Sequence, residues 1–217
     1  MNDDVNLIEA LKAEKNGLSV REEVDQLSAQ HDGWETINDW DRERLKWMGI
    51  FFRKLTPGLF MMRVRITAGQ VTAVQLRTLA EIARRVGNGV LDITTRQQIQ
   101  IRSIGIKDVP GILKALEGVD LTSFQTGMDN VRNVTGCALA GLTSLELFDA
   151  SRIGRQFAEI FLGNPALANL PRKMNVEITG CLENCTHSES QDIAMTPALR
   201  KRDDKPGFNV AVGGKMG

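Results

Sequence analysis

The chain lacks an excess of charge of either sign: 27 Lys and Arg balance 27 Asp and Glu over 217 residues. A neutral chain has no general attraction for nucleic acid or an anionic membrane surface. Neither is expected as a partner, and any cationic site must be a local concentration. No apolar run approaches the length of a helical membrane span. The Met-Asn-Asp-Asp start lacks the basic-then-apolar order of a signal peptide and is too acidic for an organelle transit peptide. Cysteine is scarce: three, an odd number, argue against a disulfide framework and for a reducing compartment, so the cytoplasm is the expected location. The length allows one large domain or two small ones with a substantial core, and 42% hydrophobic residues is ordinary for a globular chain.

What is present falls into three stretches. Residues 1–50 read as a polar helical arm whose Trp34, Trp40 and Trp47 are expected to pack on the main body. After a turn ending in Thr-Pro-Gly, the strand Phe60-Met-Met-Arg-Val-Arg-Ile66 sends Met62, Val64 and Ile66 one way and Met61, Arg63 and Arg65 the other. A helix is predicted over about 72–86: Thr72 and Gln75 have capping-box spacing, Leu76, Leu79, Ile82, Ala83 and Val86 form an apolar stripe, and Gly87 and Gly89 end it. Strand-like Val90-Leu-Asp-Ile-Thr-Thr and Arg96-Gln-Gln-Ile-Gln-Ile-Arg102 follow, then a second helix over about 109–117. The order β-α-β-β-α is most of a ferredoxin-like unit.

From about Leu121 the character changes. A polar loop, Asp129-Asn-Val-Arg-Asn-Val-Thr-Gly-Cys137, precedes a helix predicted over about 145–162 with Ile153, Phe157, Ile160 and Phe161 on its apolar face. Then come a strand carrying Lys173 and Asn175, a Cys181-x3-Cys185 turn, and strands near 192–196 and 208–212. The chain stops at Gly213-Gly-Lys-Met-Gly217 with no capping helix, which reads as a mid-protein position. The expected organisation is an arm (1–50), a ferredoxin-like half-domain (51–120) and part of a larger α/β domain (121–217), an α+β protein overall.

Parity places Arg63 and Arg65 on one strand face, Arg96, Gln98, Gln100 and Arg102 on the next pair, and Lys173 and Asn175 on a third. The bland reading is the solvated outer face of a half-covered sheet. Composition weakens it. These positions hold five cations and no carboxylate, Glu177 breaking the rule only at the far end of the third strand, whereas solvated faces usually mix signs. A one-signed face with bidentate donors and amides suits a ligand with several carboxylates or phosphates. Arg132, in the polar loop, is placed to join it.

Cys181 and Cys185 are spaced to reach one metal or cluster, and Cys137 is a third candidate. Structural zinc and cluster sites normally need four ligands, and only His187 is left to complete the set. A Cys3His zinc site is therefore an alternative. The expected reading is small buried residues, or vestiges of a site completed elsewhere.

The segments Phe60-Met-Met-Arg-Val-Arg, Thr94-Thr-Arg-Gln-Gln-Ile-Gln-Ile-Arg, Asp129-Asn-Val-Arg-Asn-Val-Thr-Gly-Cys and Leu170-Pro-Arg-Lys-Met-Asn-Val resemble the amino-terminal half of the siroheme nitrite and sulfite reductases. Within that family the likeness is to the ferredoxin-dependent nitrite reductases of the cyanobacterial type, and it runs from about residue 20 onward. The resemblance implies that siroheme, an iron isobacteriochlorin with eight carboxylates, lies on the cationic face. It implies that Arg63 and Arg132 bind the anionic substrate and that Lys173 is a proton donor and clamp over the iron. Arg96, Gln100 and Arg102 would hold siroheme carboxylates, with Thr94 and Thr95 nearby and Arg65 and Asn130 as further contacts. Asn175 stands where sulfite-reducing relatives usually carry a second lysine, which implies a monoanion, nitrite, reduced to ammonium by six electrons from reduced ferredoxin.

The family's [4Fe-4S] cluster takes a Cys-x5-Cys and a Cys-x3-Cys from the carboxy-terminal half. In this half the position six after Cys137 is Thr143, so Cys137, Cys181 and Cys185 resemble a vestigial repeat, and no metal ligand is expected here. The chain is thus read as a half that needs its carboxy-terminal partner half and is expected to be poorly stable or to aggregate alone. A sulfite reductase half and a noncatalytic tetrapyrrole- or anion-binding module are the alternatives.

Overall fold

The computed structural model describes residues 7–213; the Met1-Asn-Asp-Asp start and the end beyond Gly213 lie outside the described residues. The arm folds into α1 (Leu7–Glu14), α2 (Val20–Gln30) and α3 (Asp39–Leu45). Asn38 opens α3 by accepting the Asp41 N–H at 2.9 Å, the usual way a helix start satisfies its orphan donors. The arm makes no separate layer: Leu11, Val24, Leu45 and Trp47 belong to the same core as the first sheet. Trp47 is buried and Trp34 packs on Phe52 at 5.5 Å, but Trp40 stays exposed, so two of the three indoles do what was expected.

The first sheet comprises β1 (Ile50–Phe52), β2 (Phe60–Val64), β3 (Leu91–Ile93) and β4 (Ile99–Ile104) in the order β1-β2-β4-β3, all antiparallel. Helix α4 (Ala73–Val86) lies between β2 and β3, and α5 (Val109–Glu117) follows β4. The β-α-β-β-α order is as the sequence predicts, with β1 added where it reads as a turn. Thr72 and Gln75 form the capping box, the side chain of each bonded to the other's N–H at 3.2 and 2.9 Å. Leu79, Ile82 and Ala83 are buried on this helix, but Leu76 is exposed, so its apolar stripe is narrower than predicted.

The second sheet has the order β5-β6-β7-β8, formed by β5 (Val131–Thr135), β6 (Met174–Ile178), β7 (Ile193–Leu199) and β8 (Pro206–Val212). The first three are parallel and β8 is antiparallel to β7. The helix between β5 and β6, α6, spans Ser151–Phe161 and not 145–162. Two features delay its start. Asp149 accepts the Ser151 N–H at 2.8 Å, and the preceding segment is tied to the cysteine turn by Leu147 N–H to Gly180 O at 2.8 Å and Leu182 N–H to Leu145 O at 3.0 Å. A Cβ on Gly180 would lie 1.7 Å from the Phe148 carbonyl oxygen, so this crossing needs glycine. Phe161 is buried with Val134, Ala158, Val176 and Ile178, while Ile160, expected beside it, is exposed.

Polar side chains staple the two sheets together. The buried Arg65 donates from Nη1 to Arg132 O at 2.9 Å and from Nη2 to Gln125 O and Val131 O at 2.8 and 3.2 Å. Asn133 Nδ2 donates to Ile66 O and Arg96 O, and the Gln97 amide exchanges two hydrogen bonds with the Gly136 backbone. Each satisfies backbone groups that a purely apolar interface would leave unpaired.

Candidate functional site

Strand β2 presents Arg63 on the face opposite its buried neighbours Met62 and Val64. A bulge between Phe60 and Met61 sets the register so that Arg63 faces Gln100 and Met61 faces Arg102. The Arg63 guanidinium lies 4.7 Å from the Phe51 ring of β1, and Gln100, its amide oxygen turned inward, accepts from Arg63 Nε and Nη2 at 3.2 and 3.0 Å. Gly49, at φ +74, lets the backbone entering β1 pass close to β2 and the 123–126 loop: a Cβ there would meet Thr126 Oγ1, Ser123 O and the Arg63 carbonyl within 2.7 Å.

Arg96 sits in the β3–β4 turn, which the Thr94 hydroxyl holds by accepting the Gln98 N–H at 3.0 Å; Thr95 beside it is exposed. From that turn Arg96 Nε reaches across to the other sheet and donates to Asn175 Oδ1 at 2.9 Å. Arg132 lies where the β5–β6 register shifts. Its Nη1 donates to Thr126 O at 2.6 Å, and its Nε is buried without a partner among the described residues. Lys173 precedes β6 and is exposed.

These cations converge. Burial and then the Arg96 charge hold Arg63 below the ordinary guanidinium range. Burial, then Arg63 and Arg96, bring Arg132 down to about 10. Arg96 first, then burial, Arg132 and Arg172, lower Lys173. Groups from β2, the β3–β4 turn, β5 and the approach to β6 thus repel one another at one place, although they are far apart in the chain. Two carboxylates temper the cluster, Asp129 near Arg132 and Asp192 near Lys173. Asp129 is itself occupied: the buried Lys12 of α1 donates to it at 3.2 Å and to Leu170 O at 3.0 Å, joining the two loops that carry Arg132 and Lys173. A cavity of about 570 Å³ opens here, lined by Lys46, Phe51, Arg132, Arg172 and Lys173 among others. A larger one, about 920 Å³, lies between α2 and α5, where Arg21 and Lys114 are matched by Asp25 and Glu117, so it holds no one-signed cluster.

Three expected ligand contacts do not join the cluster. Arg65 is enclosed, with both terminal nitrogens committed to backbone carbonyls, and burial followed by the Arg132 charge brings it down to about 9; it is a staple between the sheets. Asn130 is fully buried, donating to Gly127 O at 2.7 Å and accepting from Gln125 at 3.2 Å, which shapes its loop. Arg102 is ion-paired across the sheet with Asp92 of β3. The face was therefore not free of carboxylates: Asp92 joins it because strand pairing brings it there. Glu177 is buried and accepts from Thr186, away from the cations.

Cys137 and Cys181 are buried and Cys185 is exposed. Backbone N–H groups of Leu139 and Glu183 each donate to a sulfur, Cys137 and Cys181 respectively, at 3.4 Å, and burial pushes the Cys181 thiol up. Among the described residues no three His, Cys, Asp or Glu side chains converge to hold a metal, and His187 pairs with Glu189 at 3.4 Å, so the Cys3His alternative is not assembled. Sequence reasoning missed Lys12, Phe51, Asp92 and Asp192. Only Asp192 had a local signal, a lone carboxylate opening an apolar strand.

Fold and cluster together define a two-module α+β protein with a cluster of cations between a ferredoxin-like half and a mostly parallel sheet. The unpartnered Arg132 nitrogen and the mutual repulsion of four cations fit a group bearing several carboxylates. Residues 53–119 match the nitrite/sulfite reductase ferredoxin-like half domain, and residues 127–217 match the nitrite and sulphite reductase 4Fe-4S domain. A ferredoxin–nitrite reductase of Leptolyngbya laminosa is 46% identical over 97% of this chain and 42% of its own length; one from Synechococcus elongatus is 45% identical over 97% and 41%. The solved structure of the Mycobacterium tuberculosis NirA protein superposes with a TM-score of 0.84 at 30% identity, covering 95% of this chain and 40% of that one. The chain belongs to the nitrite and sulfite reductase family, as its amino-terminal half. It spans about two fifths of the length of the curated relatives it matches.

Proposed function

We propose that the chain is the amino-terminal half of a ferredoxin-dependent assimilatory nitrite reductase, which reduces nitrite to ammonium with six electrons. The observation that carries this reading is the convergence of Arg63, Arg96, Arg132 and Lys173 beside Asn175, together with relatives of that activity over 97% of the chain. Siroheme, when bound, supplies the redox-active iron, and a [4Fe-4S] cluster, with ligands in the carboxy-terminal half, supplies its electrons. Arg96 and Gln100 hold siroheme carboxylates, with Thr94 and Thr95 at the margin. Arg63 and Arg132 anchor the anion through guanidinium groups fixed by Phe51 and Thr126 O, so no reorganisation is needed as charge builds on breaking N–O bonds.

Lys173 delivers protons from Nζ. Its cationic neighbours push it below the ordinary lysine range, which eases release toward a developing oxyanion. Asn175 offers a neutral amide where a second ammonium would favour a dianion such as sulfite. The three unpaired cysteines support a reducing, cytoplasmic setting, and no described helix is long and apolar enough to cross a membrane.

The test is the visible absorption spectrum of the full-length protein, followed by turnover with each anion. An isobacteriochlorin spectrum with nitrite turnover well above sulfite turnover is expected. Preference for sulfite would reassign the substrate, and a spectrum without turnover of either would leave a tetrapyrrole-binding module.

A further inference from the structure

Arg96 lies in a tight turn whose last residue is Gln97. The Gln97 N–H donates to Thr94 O at 2.8 Å and the Thr94 N–H to Gln98 O at 2.9 Å, which closes the β3–β4 hairpin. Gln97 itself stands at φ +58, in the left-handed region. Hairpins of this kind ordinarily give that position to glycine, because a side chain there is strained. The turn alone would be served by glycine, so the Gln97 side chain answers to something else.

The second sheet is what it answers to. Gln97 Nε2 donates to Gly136 O at 2.7 Å, and Gln97 Oε1 accepts the Gly136 N–H at 3.0 Å. One side chain thus takes both backbone polar groups of the residue that follows β5. The chain is built closely around this contact. A Cβ on Gly69 would lie 3.0 to 3.3 Å from the Gln97 amide atoms, and one on Gly136 would lie 3.3 Å from the Ala68 side chain. From β5 itself, Asn133 Nδ2 donates to the Arg96 carbonyl at 2.8 Å. Arg96 is therefore fixed to β5 at its own carbonyl and through the next residue, while its Nε reaches Asn175 on β6.

We propose that Gln97 is a positioning residue of this site: it docks the turn on the second sheet and so sets the Arg96 guanidinium where a ligand carboxylate meets it. This rests on the reading of Arg96 as a siroheme-carboxylate ligand given above, so the test separates the two.

In the full-length protein, Gln97→Gly suits the turn and deletes only the docking bonds, which sets backbone and side-chain effects against each other. Two measurements independent of turnover read it. One is hydrogen–deuterium exchange at the Gly136 N–H. The other is the rate at which siroheme passes from the holoprotein to an excess of tagged wild-type apoprotein. In Gln97→Gly the Gly136 N–H should exchange about tenfold faster and siroheme should leave about fivefold faster, the scale of two lost hydrogen bonds. Arg96→Ala should speed siroheme loss about tenfold, with Gly136 exchange within about twofold of wild type. The double variant should lose siroheme no faster than Arg96→Ala alone, because nothing is left to position, whereas a merely structural role would add its own effect.

A wild-type rate of siroheme loss in Gln97→Gly overturns the proposal, and so do effects that multiply in the double variant. Should Gln97→Gly not accumulate, Gln97→Asn carries the test, since asparagine tolerates the left-handed region but is one methylene shorter. Wild-type siroheme retention there overturns the proposal equally. If Arg96→Ala itself retains siroheme as wild type does, the reading of Arg96 fails and takes the proposal with it. If only Gln97→Gly retains it, that reading stands and the proposal alone falls.

Discussion

Arg96 Nε donates to Asn175 Oδ1 at 2.9 Å across 79 residues of sequence, tying the hairpin turn of the first sheet to strand β6 of the second. The amide proposed to set selectivity and the guanidinium proposed to hold a carboxylate are therefore one unit, and changing either residue changes both.

Asn175→Lys takes away the Arg96 acceptor and adds an ammonium group to a cluster already short of counter-charge. In the full-length enzyme kcat/KM for nitrite should fall at least tenfold, roughly the value of one lost charge-assisted bond, and the sulfite-to-nitrite ratio should rise. Steady-state rates with both anions measure this. Unchanged turnover of both would remove Asn175 from the selectivity argument.

Arg65→Met should act on stability and not on substrate choice. It strands three buried carbonyl groups at the junction of the sheets, at a cost of about 3 kcal/mol or more. A denaturant titration should show a lower midpoint. Arg65→Lys should recover only part of it, because a single ammonium does not reproduce the planar fork.

Lys12→Met releases Asp129 from its buried partner and leaves the Leu170 carbonyl unsatisfied. The freed carboxylate then neutralises Arg132 more fully. KM for nitrite should rise several-fold with a smaller change in kcat, provided that fold and cofactor loading are checked by circular dichroism and absorption. A change in kcat alone would argue that the arm does not act through Arg132.

Acid stability should depend on the arm. Arg44 donates to Glu23 at 2.8 and 3.0 Å and holds its carboxyl at about 2, against an ordinary value of 4.5. A depressed carboxyl stabilises the fold above its unfolded value and loses that contribution as pH falls from about 4.5 toward 2. The melting temperature of wild type should drop through this window. Glu23→Gln should be less stable at neutral pH and flatter through the acid range.

Much of the first module was legible because its signals are local. The Thr72–Gln75 cap, the α4 limits and the alternation of β2 need only neighbouring residues. Helix α6 was misjudged at its start because long-range bonds from Gly180 and Leu182 hold the preceding segment out of the helix, and no local pattern encodes them. Among the cations, Arg63, Arg96, Arg132 and Lys173 were legible from composition and from resemblance, whereas Arg65 was misplaced. Parity assigns a face; it does not say what later chain covers that face, and residues 125–132 cover Arg65.

The sequence by itself determined the elements, their alternation, the supply of unneutralised Arg and Lys, and the family. Only the tertiary structure decided which of those cations share a site and which carboxylates reach them. Charges interact through space with a range of several ångströms, and Lys12 with Asp129, or Asp192 with Lys173, become neighbours only when sheets, loops and arm have packed.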